Sequence, residues 1–296
     1  MKHLTKLSIG AAAFMILTAT TSCSKSETDT KSVQAFADCY AIITDTQSGA
    51  VSVSTSVTAA IGRNWTKATA EIAVSGFEIG GSTYPVMNIL NLTWGANQLW
   101  AYASTTSNTL VTLTTGQSAT ISNFKFQWSD RMDIPNLGPY DYDPAFVYSF
   151  LLDNRYLIEG SRSMFNLWGT TTASLNGANS FTSEVNKIVA TPDFKNMTMT
   201  VLINGAQFAE KMPALNIQLN NIPMKIVNNG ESFSFDATNL IPTIADVPYE
   251  DYPCSNIHGT LNPSTGMTFT FDCNVRGMAL YTVKTNPTPF GYRTAD

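Results

Sequence analysis

Residues 70–77 read Ala70-Glu71-Ile72-Ala73-Val74-Ser75-Gly76-Phe77, and residues 199–206 read Met199-Thr200-Val201-Leu202-Ile203-Asn204-Gly205-Ala206. The first, third and fifth positions are apolar in both, and the glycine falls at the same place. Alternation with period two sends one set of side chains to one face of a sheet, so each stretch reads as a half-buried strand. The likeness continues downstream. Pro85-Val86-Met87-Asn88-Ile89 matches Pro213-Ala214-Leu215-Asn216-Ile217, and Pro139-Tyr140-Asp141-Tyr142-Asp143-Pro144 matches Pro248-Tyr249-Glu250-Asp251-Tyr252-Pro253. Three blocks in the same order identify an internal repeat.

Strand patterns fill the rest of the chain. Val51-Ser52-Val53-Ser54, Leu110-Val111-Thr112-Leu113, Ser232-Phe233-Ser234-Phe235 and Met267-Thr268-Phe269-Thr270-Phe271 all alternate. Clusters of Gly, Asn, Asp and Pro separate them. Helical periodicity is absent beyond two short stretches, Thr182 to Ala190 and Ala206 to Met212. The expected fold is all-β, with two tandem antiparallel β-barrel or β-sandwich domains related by the repeat. The first domain is expected over 36–162 and the second over 163–296.

The N-terminus is of a different kind. Met1-Lys2-His3-Leu4-Thr5-Lys6 is basic, the run to Leu17 is apolar, and Thr18 to Ser22 is small and polar. That order describes a secretory signal peptide, expected over 1–22. The apolar run is shorter than the roughly 20 residues a membrane-spanning helix needs. The exit Thr20-Thr21-Ser22-Cys23 resembles a bacterial lipobox, with Thr20 where that pattern prefers Leu. The resemblance implies that Cys23 becomes the first mature residue and carries fatty acyl chains such as palmitate. Residues 23–35 are expected to be a flexible tether, polar and free of aromatics as far as Val33. Glu27 and Asp29 soon after the cysteine resemble the acidic export tag of Bacteroidetes surface lipoproteins. Repeated short strands behind a lipobox also resemble the calycin-like β-barrel lipoproteins of Bacteroidetes. These resemblances imply a lipoprotein of the cell outer membrane, lipid-anchored at the cell surface, or alternatively on its periplasmic face.

Composition narrows the function. Loss of residues 1–22 removes Lys2 and Lys6, leaving fifteen basic against twenty-two acidic side chains and a net charge of −7. An acidic chain lacks the basic face that nucleic-acid binding requires. His3 leaves with the signal, so His258 is the single histidine of the mature chain. It sits in a predicted strand and reads as an ordinary sheet residue, since a Ser-His-acid set or a zinc site needs more partners. No metal or cofactor is expected. Asp130, Asp133, Asp141 and Asp143, with Glu250 and Asp251 in the second half, could in principle serve calcium or a glycosidic carboxylate pair. No EF-hand-like spacing is present, the sequence gives no basis for the separation a carboxylate pair needs, and they read as solvated loop acids.

Cys254 and Cys273 flank a hairpin turning at Pro263-Ser264-Thr265-Gly266 and form a candidate cross-strand disulfide, whereas Cys39 reads as a buried thiol. A slip of one residue in register would turn the two side chains to opposite faces. Trp94, Trp100, Tyr102 and Trp128 cluster in the first half. Aromatic side chains in loops are platforms for sugar faces or apolar ligands, and prolines stiffen them. Tyr140 and Tyr142 in the first half, and Tyr249 and Tyr252 in the second, are therefore the candidate ligand-binding residues. The expected function is non-catalytic binding of a glycan, lipid or peptide by a membrane-anchored protein. The alternative is a structural, adhesin-like or pilus-like surface component, and a hydrolase using the loop acids ranks last. If Cys23 carries the anchor, Cys23→Ala will move the protein from the membrane to the soluble fraction; continued membrane association through salt and carbonate extraction would remove the lipoprotein reading.

Overall fold

The structure is a computed structural model, and it describes residues 31–64, 67–96, 101–105, 109–112, 116, 118–128, 145–183 and 186–289. Cys23, Trp100, Tyr140, Tyr142 and the acids Asp130, Asp133, Asp141 and Asp143 lie outside the described residues. The chain divides into two compact units, with Phe146–Ser163 closing the first and Met164 opening the main body of the second.

The first unit contains β1 (Lys31–Asp45), β2 (Val51–Asn64), β3 (Thr69–Ser75), β4 (Glu78–Ile79), β5 (Ser82–Thr83) and β6 (Met87–Ala96). It continues with β7 (Ala101–Thr105), β8 (Thr109–Thr112), β9 (Ser118–Trp128), β10 (Phe146–Leu152) and β11 (Tyr156–Arg162). β1 begins at Lys31, so residues 31–35 belong to a paired strand and not to the tether expected over 23–35. Each long strand pairs antiparallel with its sequence neighbour, and β7 and β8 lie end to end along β9. β11 pairs with β1, and β9 pairs with β10. The hydrogen-bonded path therefore returns on itself as an eight-position up-and-down ring.

The second unit repeats the plan. Its strands are β12 (Phe165–Gly169), β13 (Thr171–Leu175), β14 (Ala178–Thr182), β15 (Asn186–Asp193), β16 (Thr198–Ala206) and β17 (Leu215–Val227). They are followed by β18 (Ser232–Leu240), β19 (Thr243–Ile244), β20 (Val247–Pro248), β21 (Cys254–Asn262), β22 (Gly266–Val275) and β23 (Ala279–Thr285). β12 and β13 are successive parts of one strand position, as are β14 and β15. β23 pairs with β13, and Thr288 beyond it exchanges backbone bonds of 2.9 Å with Trp168 in β12. This ring closes too.

The repeated glycines occupy equivalent places. Gly76 follows β3 with φ +85°, and Gly205 ends the matching third position, β16, with φ +73°. Both lie in the left-handed region that glycine enters without penalty. The Pro85 and Pro213 blocks each lead into the fourth position, β6 and β17. The third block does not superpose in this way. Pro139–Pro144 precedes the seventh position, β10, whereas Pro248–Pro253 precedes the sixth, β21.

Each ring is packed with its own side chains. Phe36, Phe77, Phe124, Phe126, Trp128, Phe146, Tyr148 and Phe150 are buried in one cluster of the first unit. Their rings contact in series, from Phe36–Phe146 at 4.6 Å to Phe77–Phe150 at 6.5 Å between centroids. In the second unit Phe235–Phe269 at 5.7 Å and Phe269–Phe271 at 5.3 Å play the same part. Asparagines mark the corners. Asn123, Asn221 and Asn256 have positive φ and sit where the ladders of β9, β17 and β21 shift register. Asn tolerates that conformation better than other non-glycine residues, and a bulge there bends the strand around the ring.

Aromatic rings also lie over cross-strand glycines. A Cβ on Gly160 would stand 2.1 Å from Tyr148 Cζ, and one on Gly259 would stand 2.1 Å from Phe235 Cε2. Gly259→Ala must displace the Phe235 ring and is expected to cost about 1–3 kcal/mol by overpacking. Denaturant unfolding checks this, and the double variant with Phe235→Leu should lose less than the two single changes added. An unchanged midpoint for Gly259→Ala would contradict the packing described.

Candidate functional site

In an up-and-down ring alternate turns fall at the same end. One end of the second unit therefore carries residues 176–177, 207–214, 241–253 and 276–278. The 207–214 segment stoppers that end. Phe208 is buried, with its ring 6.3 Å from Phe271 and 5.8 Å from Tyr281. Phe77, after Gly76, is its counterpart in the first unit, stacked 5.0 Å from Tyr84. Sequence reading did not single out either phenylalanine, although each closely follows one of the repeated glycines.

The longest segment at this end of the second unit, residues 241–253, is fixed along its length. β19 and β20 form a hairpin whose turn residues, Ala245 and Asp246, both have positive φ. That conformation matches a tight two-residue hairpin turn. Gln218 in β17 pairs with Thr243, and Asn220 Nδ2 donates to Thr243 Oγ1 at 3.1 Å. Further on, Tyr249 N donates to Pro242 O at 2.9 Å, and Tyr252 N to Tyr249 O at 3.1 Å. The neighbouring turn is tied in by Asn274 N to Pro253 O at 3.0 Å and Arg276 N to Asp251 O at 2.7 Å.

This frame brings Tyr249 and Tyr252 together. Their rings stack with centroids 4.7 Å apart and planes 26° apart, and both are half-buried. Arg276 stands beside them, ion-paired to Asp251 at 3.5 Å. Burial raises the phenol of Tyr252 above its ordinary value, with Tyr249 adding to the effect and Arg276 opposing it. The Tyr249 hydroxyl, followed by the Asp251 carboxylate, raises Arg276, which stays a fixed cation. The result is a rigid aromatic face next to one cation and one carboxylate.

Beneath this platform lie Cys254 and Cys273. They are directly opposite one another in the β21–β22 ladder, buried, and present as free thiols. Both Sγ atoms donate to Tyr252 O, at 3.5 Å and 3.9 Å. Cys39 is buried in the first unit, where its Sγ donates to Phe36 O at 3.7 Å.

His258 lies elsewhere, on the outer wall of the second ring. Ser234, Thr260 and Thr268 form one cross-strand row, and Asp236, His258 and Thr270 form the next. A trough of about 330 Å³ runs between these rows over the backbone of Gly259. Thr260 and Thr268 hydroxyls bond each other at 2.6 Å, so neither is aimed at the imidazole. Glu250, Asp251 and Asp246 remain surface acids, and among the described residues no three His, Cys, Asp or Glu side chains converge as a metal site. Trp128 belongs to the core of the first unit, 1 % exposed.

No protein-family model matches the chain, and no curated protein matches it.

The environment of Tyr252 makes a pH prediction. Its folded pKa is raised, so its contribution to stability is full below the unfolded value near 10 and is lost as pH rises through the folded value. Arg276→Gln removes the opposing cation and should move this ionisation to still higher pH. Ultraviolet difference titration, with Tyr252→Phe to identify the transition, checks the direction; a downward shift would contradict the charge placement.

Proposed function

We propose that this protein is a membrane-anchored extracytoplasmic lipoprotein that binds a glycan, without catalysing a reaction, at the loop end of its second barrel. The stacked Tyr249–Tyr252 pair on its hydrogen-bonded frame carries the reading. A sugar presents an apolar C–H face and a rim of hydroxyls. The ring face matches the former, while Arg276 and Asp251 supply a donor fork and an acceptor for the latter. Because the loop is held before contact, ordering it costs little on binding.

A lipid taken into the barrel is less well supported. The interiors are packed with aromatic side chains, and Phe208 stoppers the end where the tyrosines stand. The anchor, the outer-membrane location and the surface position belong to this proposal and rest on the N-terminal sequence.

A second reading has its own observation. Ile241, Val247, Met278 and Leu280 are exposed at the same end, Val247 at 63 % and Met278 at 81 %. Exposed apolar side chains gathered at one end are the mark of a protein contact, as a structural or adhesin-like assembly component would need.

Glycan-array binding of the wild-type chain, followed by titration of the best glycan, separates the two. Tyr249→Ala or Tyr252→Ala should weaken that glycan about tenfold, given about 0.5–1.5 kcal/mol for an aromatic contact beyond its area. Val247→Ser with Met278→Ser should leave it unchanged. Absence of glycan binding, together with higher-order assembly that the Val247 and Met278 changes abolish, would favour the second reading.

A further inference from the structure

The tyrosine platform stands on two thiols, and their placement has a chemical consequence. Directly opposite residues in an antiparallel pair have Cα atoms about 4.5–5.5 Å apart. A disulfide accepts about 4.4–6.8 Å. Cys254 and Cys273 occupy such a pair with both side chains turned inward, so no strand need move to join them. Both thiols also spend their hydrogens on one acceptor, the carbonyl of Tyr252. Joining the sulfurs removes both hydrogens and leaves that carbonyl without its two thiol donors. The same residue carries the ring that stacks on Tyr249.

We propose that Cys254 and Cys273 form a reversible disulfide whose formation resets the Tyr249–Tyr252 pair. The coupling to ligand binding rests on the function proposed above; the bond and its effect on the tyrosines do not. The oxidant is a small-molecule or protein disulfide. One cysteine loses its proton and attacks a sulfur of that disulfide, releasing the first thiol. The second cysteine then attacks the mixed disulfide and releases the other thiol. Two cysteine thiols and one external disulfide give one protein disulfide and two external thiols, so the protein gives up two electrons and two protons.

The surroundings set the rate. The neighbouring Cys273 thiol, and then burial, hold Cys254 well above the ordinary thiol range, so attack is slow near neutral pH and faster in alkali. Both cysteines sit at the rim of the barrel. Half-buried Tyr252 and Pro253 precede Cys254, and half-buried Asn274 follows Cys273. Cys39 differs. It faces Val57 on one side and Arg162 on the other, and burial, followed by the charge of Asp38, pushes its thiol up to about 12. It stays reduced.

The test uses the purified full chain, treated with oxidised glutathione at mildly alkaline pH, then unfolded, alkylated and digested. The expected product is a peptide linking Cys254 to Cys273, about 2 Da lighter than its reduced parts, with Cys39 alkylated. Near-ultraviolet circular dichroism of the tyrosines should change on oxidation and return with dithiothreitol. Cys254→Ala with Cys273→Ala should not respond; if that variant does not fold, the link and the reversible signal in the wild-type chain decide. Alkylation of both cysteines after treatment, or separate glutathione caps on each, would overturn the disulfide. A link with unchanged tyrosine dichroism would overturn its coupling to the platform. None of these readouts uses a glycan, so failure of glycan binding leaves them intact.

Discussion

The pairing of the last strand with the first governs everything else in each unit. A sheet edge exposes a row of unpaired backbone donors and acceptors, which invite other chains. Here β11 returns to β1, and β23 with Thr288 returns to β12 and β13. Closure removes those edges and also fixes a period-two division of side chains into inside and outside. The interior of an eight-position ring is only wide enough for side chains or one small ligand. In both units aromatic side chains occupy it, and a phenylalanine stoppers one end. Chemistry is thereby displaced to the outer walls and to the turns.

That displacement explains the character of the candidate site. A turn on a closed barrel is mounted on a rigid rim, but a long turn still needs its own support. Residues 241–253 obtain it from the β19–β20 hairpin, from Asn220 and from the turn around Arg276. Two tyrosines held in this way keep a fixed stacked geometry, which suits recognition of a shape more than movement of a proton. His258, by contrast, stands in a shallow trough on the wall, where the Thr260 and Thr268 hydroxyls of the adjoining row bond each other. The residues best placed for contact and the residue best suited to acid–base work are thus on different surfaces.

The strand content was legible because alternation is local: Ala70 to Ser75 and Met199 to Ala206 are strands wherever their partners lie. The repeated glycine was legible for the same reason, since Gly76 and Gly205 mark a left-handed backbone at equivalent ring positions. Closure was not legible, because barrel and sandwich differ only in which distant strands meet. The extent of β1 was missed as well. Lys31 to Ala35 look like tether in composition and become strand only by pairing with residues 60–64 of β2. The third repeated block misled for a related reason: composition carried Pro139–Pro144 onto Pro248–Pro253, while topology puts them before different strands. Within the site, the hairpin pattern placed Cys254 near Cys273, but only the register, with its shift between Ser255 and His258, sets them face to face. The in-strand asparagines offered a readable signal that was not used, since Asn123, Asn221 and Asn256 mark the bulges that bend the strands.

The two units share a frame and a stopper, and they differ in what stands beside the stopper. In the first, the described turns 46–50 and 153–155 at the matching end are drawn together by charge. Arg155 bridges to Asp45 at 2.8 Å, lies over the Tyr156 ring and accepts at its carbonyl from Thr46 N. That arrangement ties two hairpins. In the second, the corresponding end carries the long 241–253 segment, the stacked tyrosines, the exposed Val247 and Met278, and the paired thiols beneath. A ring that is already closed and filled can lengthen one turn at small entropic cost, because closing a longer loop adds only a slowly growing term. The duplication therefore separates two demands. Both barrels supply a stable frame, and the loop end of the second carries the stacked tyrosines and the paired thiols.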